Sequence, residues 1–136
     1  MSRIVLADTG PLYALIDPTD AEFSRAHREK ATLRETGYHV AVTLTTMIET
    51  HRLVSQRLGF QPARAWLRET NRQVIVRFPE PDDYLVAYAS IDQFADQHIS
   101  LCDAMLVAAS IRLDYPVWTY DHHFDILGAE RWYPGL

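Results

Sequence analysis

The sequence predicts a single three-layer α/β domain, with a mostly parallel sheet of four to five strands flanked by helices. Three observations carry this expectation. Short apolar runs alternate with helical patterns of ten or more residues, as right-handed crossover units require. The 136 residues suit one ordinary domain, 1–136, and no linker, repeat or low-complexity stretch interrupts them. Hydrophobic residues make up 48% and charged residues 23%, which supplies a core and excludes a disordered chain.

Arg3–Ala7 (RIVLA) is an apolar run ended by Asp8-Thr9-Gly10-Pro11, which reads as a strand turning into a helix. Asp17-Pro18-Thr19-Asp20 is a second turn, and Asp20 is placed to cap a helix that reaches about Thr36 before Gly37. Tyr38–Val42 (YHVAV) reads as strand two. From Thr45, Met47, Ile48, Leu53, Val54 and Leu58 recur near helical spacing until Gly59 stops them. Pro62 opens a helix with Ala63, Trp66 and Leu67 inward, and Val74–Phe78 (VIVRF) reads as strand three. Pro81 suits the first position of a helix to about Asp96, and Ser100 starts another that ends near Asp114. Pro116–Thr119 reads as strand four, Tyr120–His123 as the turn beyond it, and Arg131–Tyr133 as a short edge strand.

The longest apolar stretches fall far short of the ~20 residues of a membrane helix, so no membrane association is expected. No charged region followed by an apolar one marks a signal peptide. The one cysteine, Cys102, excludes an internal disulfide and a four-cysteine zinc site, so the cytoplasm is the expected compartment. The net charge of −5 is segregated: residues 50–78 carry six basic side chains against one acidic, whereas residues 79–136 carry two against ten. Solvated helix faces explain such a pattern, and so does an acidic metal pocket beside an arginine shelf for a polyanion. On the second reading Arg57, Arg64 and Arg68 are candidate RNA contacts. Trp66 and Phe60 nearby suit base stacking less well than burial or a dimer contact.

Asp8 and Asp121 occupy equivalent places, just past strands one and four, and ligands of open α/β sheets bind outside the carboxyl ends of strands. Each is also explained as a turn residue or helix cap. Glu49 and Asp103 close capping-box-like sequences, Thr46–Glu49 and Ser100–Asp103. Asp103 fits that role less well, because the box favours Glu or Gln and because Asp103 lies among Leu101, Ala104, Met105 and Leu106, where an unpaired charge is costly. Four carboxylates at one sheet edge would repel one another and take up protons unless divalent cations neutralised them. Oxygen-only ligation selects Mg²⁺ or Mn²⁺ over zinc, and two such ions suit phosphodiester hydrolysis.

Asp8-Thr9, Thr45–Glu49 (TTMIE), Ser100–Ala104 (SLCDA) and Thr119–Phe124 (TYDHHF) together resemble the four acidic motifs of PIN-domain nucleases. They are closest to the VapC-type toxins of toxin–antitoxin pairs, and the match runs from residue 8 to about residue 125 in the family's order and spacing. The resemblance implies a PIN-like parallel sheet with strands one and four adjacent. It implies that Asp8, Glu49, Asp103 and Asp121 hold one or two Mg²⁺ or Mn²⁺ ions and position the attacking water. Thr9 and Thr119 would orient those carboxylates or the water; Asp125, an extra acid near the fourth motif, reads separately as an outer partner. The implied activity is RNA hydrolysis leaving a 5′-phosphate and a 3′-hydroxyl, in a homodimer silenced by a cognate antitoxin. Two departures stand out: Cys102 replaces a frequent threonine or serine, and His122 and His123 follow the fourth acid where a lysine or arginine is common.

Other readings fare worse. Asp8-Thr9-Gly10 resembles the triplet of retroviral-type aspartic proteases, but those are all-β. A phosphoacceptor receiver needs a lysine near its acids, and the only lysine is Lys30, in an early helix. The glycine motifs for dinucleotides and nucleoside triphosphates are absent. A catalytically silent PIN-fold module that binds a partner protein remains the alternative of another class, and the full set of four acids argues against it.

Overall fold

The structure is a computed structural model and describes residues 3–135. The extreme ends of the single domain expected over 1–136 therefore lie outside the described residues. Four strands form one sheet in the order β3-β2-β1-β4: β1 (Arg3–Ala7), β2 (Tyr38–Thr43), β3 (Ile75–Arg77) and β4 (Val117–Trp118). All pairs are parallel, with Leu6 beside Val117 and Ala7 beside Trp118. The helices are α1 (Thr9–Ala14), α2 (Phe23–Glu35), α3 (Leu44–Leu58), α4 (Phe60–Gln73), α5 (Pro81–Gln93), α6 (Leu101–Leu113) and α7 (His123–Ile126).

Alternation along β1 builds the three layers, since successive side chains of a strand face opposite ways. Val5 and Ala7 join a core with Leu12, Leu33, Val54, Trp66 and Trp118, supplied by α1 to α4 and β4. Leu6 faces the other way, onto Leu106, Val107, Val117 and Phe124. Helix α5 packs outside α6. It is tied there by Arg112, whose Nε and Nη2 donate to the two oxygens of Asp83 at 2.8 and 2.9 Å. Although burial opposes it, this fork and the Glu80 backbone N–H hold the Asp83 carboxyl below its usual range.

Several expected boundaries move. Helix α2 starts at Phe23, because Asp20 spends its carboxylate on the Glu22 N–H in a turn. Helix α4 starts at Phe60, with Pro62 inside its first turn, where a missing N–H costs nothing. Ala63 and Trp66 are buried as expected, whereas Leu67 is exposed. Helix α5 ends at Gln93 rather than near Asp96. Thr46 does not open a capping box with Glu49: Thr43 caps α3, its Oγ1 accepting from the Thr46 N–H at 3.3 Å. Arg131–Tyr133 contributes a single parallel bridge, Val117 to Arg131, instead of a strand. Among the described residues no helix is long and apolar enough to cross a membrane.

Candidate active site

A parallel sheet brings the chain out of every strand at one edge, and the acidic residues gather there. Asp8 follows β1 directly and caps α1, its Oδ1 accepting from the Thr9 N–H at 2.8 Å. Its Oδ2 accepts from the Thr119 hydroxyl at 2.8 Å, so strands β1 and β4 are joined through a carboxylate. The same Thr119 Oγ1 accepts from the Asp121 N–H at 3.0 Å and fixes the start of the loop after β4. Asp121 Oδ1 in turn accepts from the His123 N–H at 2.9 Å and lies 3.0 Å from His123 Nδ1.

Glu49 reaches the site from the second turn of α3. Thr9 donates its hydroxyl to Glu49 Oε1 at 2.6 Å and accepts from the buried Thr50 hydroxyl at 3.3 Å. Asp103 lies in the first turn of α6, where its N–H donates to the capping Ser100 Oγ at 3.1 Å.

The carboxylates sense one another. Burial, then the charges of Asp103 and Glu49, push the Asp8 carboxyl up to about 7, against the opposing bonds from Thr119 and Thr9. Burial and the charges of Asp121 and Glu49 likewise raise Asp103. Asp103 is thus the common neighbour of the other three. Among the described residues no three or more acid, histidine or cysteine side chains stand grouped so as to hold a metal ion. The donor chemistry nevertheless suits a hard divalent cation: the group offers carboxylate and hydroxyl oxygens and an excess of negative charge. Cys102 adds no thiolate, because burial and the Glu49 carboxylate push its thiol up to about 12.

Other expected residues fall elsewhere. Asp125 is exposed and pairs with Arg131 Nη1 at 3.2 Å, and Arg131 Nη2 donates to the Thr119 carbonyl at 3.1 Å. Asp125 therefore reaches the acidic edge only through Arg131. The Arg57 guanidinium lies over the Tyr13 ring, 5.0 Å from its centroid, whereas Arg64 and Arg68 line a shallow depression on α4 with Leu67 and Asn71. Trp66 is core and Phe60 is exposed. A cavity of about 520 Å³ lies away from the acids, between α2, α4 and the start of β2, lined by Leu33, Tyr38, Trp66 and Val74 among others.

Thr50 and Arg131 escaped the sequence reading. Thr50 stands one helical turn after Thr46, a spacing that puts both threonines on one face. Arg131 is one of only two basic residues in the acidic last segment.

No family model and no curated protein matches the sequence. Solved structures do. The crystal structure of Mycobacterium tuberculosis VapC20, described as a sarcin-ricin loop cleaving toxin, superposes with a TM-score of 0.82 at 22% identity, over 96% of this chain and 99% of that one. VapBC2 from Rickettsia felis, bound to a promoter DNA fragment, gives a TM-score of 0.74 at 11% identity, over 94% and 96%. DNA-bound VapBC from Salmonella typhimurium gives 0.71 at 14% identity, over 96% of each chain. The parallel sheet with β1 beside β4, expected from the four motifs, is the sheet observed, and the chain shares its fold, the PIN-like fold expected, with these VapC structures.

Proposed function

We propose that the chain is a divalent-metal-dependent endoribonuclease, the toxin of a toxin–antitoxin pair, acting in the cytoplasm as a homodimer. One observation carries the reading: Asp8 is buried between two donors while the charges of Asp103 and Glu49 press on it. A fold does not accumulate such repulsion for stability, since unpaired buried carboxylates are costly.

Asp8, Glu49, Asp103 and Asp121 would hold one or two Mg²⁺ or Mn²⁺ ions. Such ions supply a nucleophile from water near neutral pH and stabilise charge on the phosphodiester oxygens. The chain's own groups do the arranging. Thr119 turns one Asp8 oxygen and the Thr9 N–H holds the other. Thr9 fixes Glu49, with Thr50 behind it. The arginines of α3 and α4, Arg57, Arg64 and Arg68, offer phosphate contacts for the RNA. A solved structure of this fold from Klebsiella pneumoniae, described as a toxin–antitoxin complex, supports an antitoxin as the protein partner.

The test is RNA cleavage by purified protein with Mg²⁺ or Mn²⁺, beside calorimetric titration of Mn²⁺. Asp103→Asn is expected to lower cleavage by about 100-fold or more while the thermal transition persists. Cleavage that survives both chelator and Asp103→Asn, or wild-type protein that binds no Mn²⁺, would overturn the reading.

A further inference from the structure

Glu29 lies in the middle of α2 and is only 6% exposed, an expensive place for a carboxylate unless its oxygens are occupied. Its Oε1 accepts two hydrogen bonds, from Trp118 Nε1 at 3.0 Å and from the Tyr120 hydroxyl at 2.7 Å. Its Oε2 meets Arg25 Nε at 3.4 Å, and the Arg25 guanidinium lies 4.1 Å from the centroid of the Tyr120 ring. The two residues that Oε1 grips flank Thr119. Trp118 ends β4 and Tyr120 stands in the bend beyond it, and both side chains turn toward α2 while the Thr119 hydroxyl turns to Asp8. Thr119 Oγ1 then serves Asp8 on one side and the Asp121 N–H on the other.

We infer that Glu29 is a positioning residue for the acidic site. One carboxylate oxygen fixes both neighbours of Thr119 and so places the hydroxyl that orients Asp8 and the Asp121 loop. Arg131 holds the Thr119 carbonyl independently, so losing Glu29 releases one of two restraints. This role rests on the metal-nuclease reading. A purely structural Glu29 would anchor α2 to β4 and affect stability alone.

The experiment compares full-length wild type, Glu29→Met, Glu29→Gln and Tyr120→Phe, each well below its melting temperature. It reads amide exchange at Asp121 in metal-free protein, Mn²⁺ affinity by calorimetry, and kcat and KM for RNA. Glu29→Met is expected to speed Asp121 exchange relative to β1 amides. It should also weaken Mn²⁺ binding roughly 10-fold and lower kcat about 10- to 100-fold with KM unchanged, as for other partners of metal ligands. Glu29→Gln keeps the accepting oxygen and should stay near wild type, with Tyr120→Phe between. A Glu29→Met protein that melts earlier yet keeps wild-type exchange and Mn²⁺ affinity overturns the role, as does Gln behaving like Met. If Glu29→Met does not fold, wild-type exchange and Mn²⁺ affinity in Tyr120→Phe overturn it. Wild type that neither binds Mn²⁺ nor cleaves sinks the nuclease reading itself, and this inference with it.

Discussion

Asp8 concentrates two opposed demands in one side chain. Two donors favour its charged form, but burial and the neighbouring acids win and push its carboxyl up to about 7, from an ordinary 3.8. With the folded value above the unfolded one, metal-free protein keeps this contribution to stability below pH 4 and loses it as the pH rises through about 7. The loss is at most about 4 kcal/mol, at roughly 1.4 kcal/mol per unit. Asp8→Asn removes it but disturbs the Thr119 bond, a cost of about 1 kcal/mol. Thermal melts in chelator should therefore show Asp8→Asn more stable than wild type at pH 8, with the advantage gone near pH 4; an Asn variant that melts earlier at pH 8 would contradict this. Asp8 and Asp121 were legible in the sequence because each follows an apolar run that ends in a turn. Asp103 was legible as a charge out of place. The capping reading of Glu49 failed because Thr43, three residues before Thr46, offers the α3 N–H groups a hydroxyl first. The bonds of Thr50 to Thr9 and of Arg131 to Thr119 depend on tertiary placement, which local pattern does not report.

Among the elements, the α3–α4 corner turns on Gly59, whose φ of 102° and ψ of 173° no side-chain-bearing residue adopts without strain. Gly59→Ala is expected to cost roughly 1–3 kcal/mol in urea denaturation; an unchanged midpoint would show that the corner relaxes freely. That corner sets how α4 presents its arginines. Replacing Arg64 and Arg68 with Gln should weaken RNA binding and reduce the slope of log affinity against log salt by about 1.4, at ~0.7 per phosphate contact. Arg57→Gln should change it less, since that guanidinium already lies over Tyr13. An unchanged slope in the double variant would assign both arginines to solvent. Element types were readable from apolar spacing, whereas ends were set by competition for backbone groups. The apolar run Val74–Phe78 reads as strand from its first residue, yet the Val74 N–H bonds to the Thr70 carbonyl and closes α4. Asp20 looked like a cap and instead closes a turn.

At the scale of the whole molecule, the proposed homodimer requires a face on which two copies can meet. Helix α5 supplies a candidate face: Leu85 is 62% and Tyr88 65% exposed, and residues 84–91 (YLVAYASI) hold no charge in a chain of net charge −5. Two like-charged copies repel least where neither carries charge, and an interface of the same patch on both satisfies two-fold symmetry. Sedimentation equilibrium is therefore expected to show a dimer for wild type and a monomer for the double variant Leu85→Lys, Tyr88→Lys, with helical content unchanged because both side chains already face water. Binding linkage adds a second signature, a melting temperature that rises with wild-type concentration and stays constant in the variant. A variant that still dimerises would move the interface off α5, and a wild type that is monomeric at every concentration would leave that apolar face for the antitoxin.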